Sequence, residues 1–197
     1  MKASKDDKRN NLLPIIASYF AELGYRRATT SELANRCDVK EAILYRLWPS
    51  KKEMFLDSLD YIADNLVRIW QGLLSTATEE KTALELLISY ESEHFAELNN
   101  YLVIYSALNE ADDPEIKESL QRMYFYIHSF LVEKITLYRV KTGCGEQLST
   151  PMLAWALMGI GTMVTITKHL GMLTEQGRSE LLSGAAQALL EIEVSGY

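Results

Sequence analysis

Residues 29–55 read TTSELANRCDVKEAILYRLWPSKKEMF, and this run gathers Lys40, Arg46 and Lys51 with the hydroxyls of Thr30, Ser31 and Tyr45. Ammonium and hydroxyl groups suit phosphate oxygens, and a guanidinium grips either a phosphate or the edge of a guanine with two bonds. The charge of the chain is divided in the same sense. Residues 1–55 hold 11 Lys/Arg against 7 Asp/Glu, whereas residues 56–197 hold 9 against 20, within a net charge of −7. A basic head on an acidic body points to a polyanion partner for the head alone.

A second group able to do chemistry is Glu91-x-x-His94, the helical spacing of half a di-iron carboxylate site. Such a site needs a second Glu-x-x-His, and Phe125 and Ile166 stand three residues before His128 and His169. Phosphate-loop, dinucleotide, H-E-x-x-H and G-x-S-x-G signatures are missing too, so no catalytic residue, metal or cofactor is expected. Cys37 and Cys144 have no metal-binding spacing and suit a reducing cytosol. The N-terminal MKASKDDKRNN lacks the apolar stretch of a secretory signal, which gives a cytoplasmic expectation.

The elements that hold these residues read as all-α. Helical periodicity runs along nearly the whole chain, and sustained period-2 alternation is absent. The first helix is predicted from Asn11 to Leu23, with Leu13, Ile16, Ala17 and Phe20 as its apolar stripe. Pro14 is then confined to the first turn, and Gly24 is a left-handed stop. Thr29-Thr30-Ser31-Glu32 predicts a capping box on a second helix that ends near Cys37, with Asp38 in the turn. A third helix spans about Lys40–Leu47, and Ser50 caps a long fourth helix that runs to about Ser75, with Glu53 closing its box. Two short helices joined by a tight turn behind a supporting helix form a helix-turn-helix. Further helices are predicted at about 79–98, 100–110, 114–142, 149–171 and 174–194.

The order Ala17-x-x-Phe20, Gly24-Tyr25, Thr29-Thr30, Leu33-Ala34, Val39, Leu44-Tyr45-x-x-Trp48-Pro49-Ser50-Lys51-Lys52-Glu53 resembles the N-terminal domain of the tetracycline-repressor (TetR) family. The resemblance covers about residues 9–55. It implies a DNA-binding domain over residues 1–55 and an all-helical ligand-binding and dimerisation domain over 56–197. By matching positions, Thr30, Tyr45 and Lys51 correspond to phosphate contacts. Ser31, Lys40, Glu41, Ala42, Ile43, Arg46 and Leu47 correspond to positions facing bases or nearby backbone. Lys51 also lies beside the free N–H groups that open a helix, a natural phosphate site. Four positions depart from the family pattern. Asp38 replaces a turn glycine, Ile43 a hydroxyl residue, Glu41 brings a negative charge unless it accepts from a cytosine amine, and Pro14 shortens the first helix.

The body supplies softer signals. Residues 147–167 carry no charge, which suits either a membrane span or a helix buried between two chains. The Ser, Thr, Pro and Gly within the stretch favour the second: a homodimer through the last two helices, with no membrane, where Gly184, Ala185 and Ala186 let helices approach. Leu84, Leu87, Ile88, Glu91, His94, Phe95 and Leu98 share a face of the fifth helix. Trp70, Tyr90, Tyr101, Tyr105, Tyr124, Tyr126 and Trp155 read as mostly core, with some able to line an aromatic cavity; the residues expected at an effector cavity are Trp70, Tyr90, Glu91, His94, Tyr105, Tyr124, Trp155 and Met158. By family analogy helices four, five, seven and eight enclose it. The resulting expectation is a ligand-responsive repressor, released from palindromic double-stranded DNA by a small apolar or aromatic effector, cationic if Glu91 is its counter-charge. The alternatives are a DNA-binding architectural or regulatory protein with no small effector, or a helical metal-carboxylate enzyme.

Overall fold

The structure, a computed structural model, describes residues 4–75, 82–94, 102–143 and 148–191. Phe95, Leu98, Tyr101 and Cys144 lie outside the described residues. Helices are the only regular elements among those described.

The first helix, α1 (Lys5–Arg27), begins well upstream of Asn11, which corrects the sequence expectation. Ser4 caps it: its Oγ accepts from Asp7 N at 3.0 Å, and the Asp7 carboxylate accepts from Ser4 N at 2.9 Å. Asp6 and Asp7 also complement the positive end of the helix. Pro14 therefore stands in the helix interior, where its ring crowds the preceding turn and gives Asn10 O no N–H. The helix persists because Ile16, Ala17, Tyr19 and Phe20 are fully buried. Pro14→Ala is accordingly expected to raise the thermal midpoint, with a gain of up to about 3 kcal/mol. A midpoint at or below that of the wild type would show that the kink is needed for packing.

Helical geometry breaks at Gly24, whose φ of 75° is positive as expected. Its ψ of 165° is extended rather than left-handed helical, a region essentially confined to glycine. A Cβ there would come within 3.1 Å of Ser106 Oγ.

Three helices follow as the sequence predicts: α2 (Thr30–Arg36), α3 (Glu41–Leu47) and α4 (Lys51–Ser75). Only half of the first capping box forms. Thr29 Oγ1 accepts from Glu32 N at 3.3 Å, while Thr29 N donates to Tyr19 Oη at 3.4 Å. Asp38 turns the chain between α2 and α3 with φ of 50°, and Ser50 Oγ accepts from Glu53 N at 3.1 Å. Leu33, Ala34, Leu44, Trp48, Met54 and Phe55 are buried. Phe55 packs edge-on to Phe20 with ring centroids 5.0 Å apart, and Tyr25 folds against Phe55 at 4.8 Å. Trp48 Nε1 donates to Asp57 at 2.6 Å, and Asp57 also accepts from Arg9, whose guanidinium lies 5.3 Å from the Trp48 ring centroid.

The remaining helices are α5 (Ala83–His94), α6 (Leu102–Leu108), α7 (Pro114–Thr142), α8 (Thr150–His169) and α9 (Glu175–Glu191). The chain forms two compact units: one from the described parts of Met1–Leu66 and Asn99–Tyr124, the other from those of Val67–Leu98 and Phe125–Tyr197. In the first unit α6 packs on α1. Tyr25 N donates to Ser106 Oγ at 2.7 Å, and Arg26 pairs with Glu110 at 2.6 Å. Lys52 bridges Asp113 at 3.1 Å and Glu115 at 2.7 Å, and its hydrogen bond holds the Asp113 carboxyl below the usual range.

In the second unit α9 packs against both α5 and α8. The α7–α8 turn is pinned by Arg139, which donates to Thr150 Oγ1 at 2.8 Å and to Leu148 O at 2.6 Å. Gly171, at φ of 64°, ends α8 with Met172 N bonded to Thr167 O at 2.9 Å. By length and composition alone α8 is apolar enough to cross a membrane, with an 18-residue window at a mean hydropathy of 1.3, of which 28% is buried.

Candidate nucleic-acid interface

The short α3 offers one face to the head's core and the other to solvent. Leu44 and Leu47 are buried, while Glu41, Ala42, Tyr45 and Arg46 are exposed, as are Lys40 at its cap and Ser31 on α2. Ile43 is half-buried. Leu47 is the exception among the positions that sequence matching directed at DNA. At 5% exposure its side chain belongs to the head's core and is closed to the groove.

Thr30 and Tyr45 come together across the α2–α3 pair, with their hydroxyl oxygens 3.2 Å apart. Glu41 joins them by accepting a hydrogen bond from Thr30 Oγ1. Thr30 has a single hydroxyl proton, so with that proton on Glu41 the bond between the hydroxyls takes its proton from Tyr45. Of the two hydroxyls matched to phosphate contacts, Thr30 therefore holds a carboxylate and Tyr45 holds Thr30 in this structure.

Lys51 is also engaged inside the head. Its ammonium donates to Tyr25 O at 2.9 Å and Ala28 O at 3.0 Å, and it lies 4.4 Å from the Tyr25 ring centroid. Partial burial lowers its pKa. Spacing revealed the proximity of Lys51 to the start of α4, but the carbonyls that it closes are more than twenty residues upstream and left no local signal.

The residues expected at an effector cavity divide between the units. Tyr105 and Tyr124 belong to the first, whereas Trp70, Tyr90, Glu91, His94, Trp155 and Met158 belong to the second. Trp70 Nε1 donates to Glu91 Oε1 at 2.6 Å, and its ring stacks on Phe130 at 5.5 Å. Tyr90 and His94 stack at 4.3 Å. Trp155 is exposed and stacks on His128 at 4.5 Å, with Phe125 edge-on at 6.1 Å. Tyr126 is likewise exposed, which corrects its reading as core; it lies on the solvent side of α7. The stacking of Phe130 on Trp70 and of His128 on Trp155 has no signal in the sequence, because a helical aromatic reveals its partner only once the neighbouring helix is placed.

A compact three-helix head that buries one side of α3 and exposes cations and hydroxyls on the other is a helix-turn-helix DNA-binding module. Residues 16–57 match the family described as bacterial regulatory proteins, tetR family, so the head is similar to the DNA-binding domain of those transcriptional regulators. The nucleoid occlusion factor SlmA of Pectobacterium carotovorum subsp. carotovorum (strain PC1) is 27% identical over 161 residues, which cover 80% of this chain and 80% of that one. The crystal structure of a TetR-family transcriptional regulator from Rhodococcus sp. has a TM-score of 0.78 at 14% identity, covering 93% of this chain and 98% of that one. A transcriptional regulator from Saccharomonospora viridis in complex with choline has a TM-score of 0.71 at 17% identity, covering 93% and 96%.

Proposed function

We propose that the protein is a cytoplasmic homodimer that represses transcription from a palindromic operator and releases it when a small apolar or aromatic effector binds. Residues 1–55 read the DNA, and residues 56–197 bind the effector and the second chain. Thr30, Tyr45 and Lys51 hold phosphates, while Ser31, Lys40, Glu41, Ala42, Ile43 and Arg46 face base edges or nearby backbone. The observation that carries the dimer is the uncovered apolar surface of α8, where Met152 is 56% and Met163 49% exposed. A helix of this composition needs cover, and a second copy related by a two-fold axis supplies it. That axis sets two recognition helices about 34–36 Å apart, hence the palindrome.

An effector releases DNA only if it binds the DNA-incompetent arrangement more tightly, so operator DNA must weaken effector binding by the same factor. The tilt of α4 is the transmitter, because it leads directly from Ser50 at the end of the head into the body. Spin labels on the two copies of α3 test this. Effector is expected to shift the label-to-label distance, and a compound that relieves operator binding without moving it would refute the tilt.

Glu41 adds a further expectation. Its carboxylate lies where phosphate is to bind, so Glu41→Ala should tighten binding to random-sequence duplex by about 0.5–1 kcal/mol. Weaker binding on all sequences would instead give Glu41 a supporting role for Thr30.

A second reading is a DNA-binding protein with no small effector, and it draws on the 27% identity to a nucleoid occlusion factor. Operator affinity that stays constant across a broad metabolite panel would favour it.

A further inference from the structure

Glu91 is the one buried carboxylate among the described residues, and no ion pair balances its charge. On α5 it follows the buried Leu84 and Leu87 along one face and is itself only 8% exposed. It accepts a hydrogen bond from Trp70 Nε1, and no Lys or Arg among the described residues forms an ion pair with it. An indole N–H is a neutral donor that satisfies one lone pair and leaves the charge itself uncompensated. The chemistry agrees: burial pushes the Glu91 pKa up to about 7, against the Trp70 hydrogen bond and the nearby His94, which pull it down.

The groups around this carboxylate select among cations. His94 Nδ1 is engaged with the Tyr90 carbonyl at 3.0 Å, and a single carboxylate falls far short of the six or more oxygens that a hard divalent ion demands. The neutral groups near it are aromatic: Trp70 is stacked on Phe130, whose ring already lies 4.9 Å from the Lys134 ammonium, and Tyr90 is stacked on His94 along α5. A π face attracts a weakly hydrated organic ammonium, and tryptophan does so best.

We propose that the Glu91–Trp70 pair anchors a weakly hydrated organic cation of the alkylated ammonium class, and that the effector carries such a group. The proposal rests on the ligand-responsive reading above and narrows it to one charge type. Glu91 supplies the counter-charge, and the aromatic rings cover the alkyl groups. The ammonium in turn supplies what the fold leaves out, a positive charge beside a desolvated carboxylate.

Calorimetry on the full chain, with benzyltrimethylammonium and its neutral carbon isostere neopentylbenzene, tests the pair directly. The two probes share shape and differ in charge. The cation is expected to bind at least about tenfold more tightly, and Glu91→Gln to erase that preference while retaining the helical circular dichroism. Equal affinities in the wild type, no binding of either probe, or a preference that survives Glu91→Gln would each overturn the proposal. The wild-type comparison alone decides if the variant does not fold. Relief of operator binding by an uncharged apolar compound, with no cation preference, would leave the regulator reading intact and remove this one. Selective cation binding with operator affinity unmoved would keep the cation site and overturn both its assignment to an effector and the ligand-responsive reading.

Discussion

Gly159→Trp is expected to leave each chain folded, convert the protein to monomers and lower operator affinity by about a hundredfold or more. The expectation rests on what surrounds position 159. On α8 this glycine is exposed, and a Cβ built there meets no atom within 4 Å. A large side chain therefore has room in the single chain and clashes only if a second chain packs against α8. Overpacking at one contact costs about 1–3 kcal/mol, and two-fold symmetry doubles it at the interface. Operator binding falls further because each head then binds its half-site alone, without the other's effective concentration. Gly184→Trp makes the same test on α9, where the glycine is also open. Sedimentation velocity and fluorescence anisotropy on a palindromic duplex give the two readouts. A wild-type monomer at micromolar concentration, or a dimeric Gly159→Trp protein with normal affinity, would refute the interface.

Lys51→Ala and Arg46→Ala are expected to impair DNA binding in different ways. Arg46 is exposed on α3, so its loss should leave the melting temperature unchanged. If it reads a base, affinity should fall by about 1–3 kcal/mol on the operator and far less on random sequence. Lys51 ties the end of α1 to the start of α4 through the carbonyls of Tyr25 and Ala28. Its removal leaves both without this donor and should cost the head about 1.5–3 kcal/mol, the range for hydrogen bonds to a charged group. If its remaining N–H serves phosphate, binding should weaken alike on all sequences and the salt slope should flatten by about one unit. Urea denaturation and a salt series on two duplexes separate the variants. Lys51→Ala with both stability and slope unchanged would sink the assignment.

The helix-turn-helix was legible because its signals are local. Thr29 and Ser50 cap within three residues, Asp38 takes its left-handed turn, and the ends of α2 and α3 fall where the breakers stand. The start of α1 was misplaced because Pro14 was read as a first-turn residue, while Ser4 and Asp7 upstream form the actual cap. A polar N-terminus gave no apolar periodicity to extend the helix. The packing of α6 against α1 was not legible at all. It depends on Ser106 meeting Tyr25 and on Glu110 meeting Arg26, more than eighty residues apart, and neither residue marks its partner in sequence. The exposure of α3's polar face followed from its periodicity. The capture of Glu41 by Thr30 did not, since it depends on the angle between α2 and α3.

The thiol of Cys37 gives the head its own clock. It closes α2 at 7% exposure, and burial raises its pKa. Only a thiolate reached by solvent reacts with a disulfide reagent, so labelling must wait for α2 and α3 to part. In a chain with Cys144 replaced by Ser, the labelling rate then counts openings of the DNA-reading turn. Operator DNA should slow that clock in proportion to its occupancy, and an effector that frees the DNA should restore it.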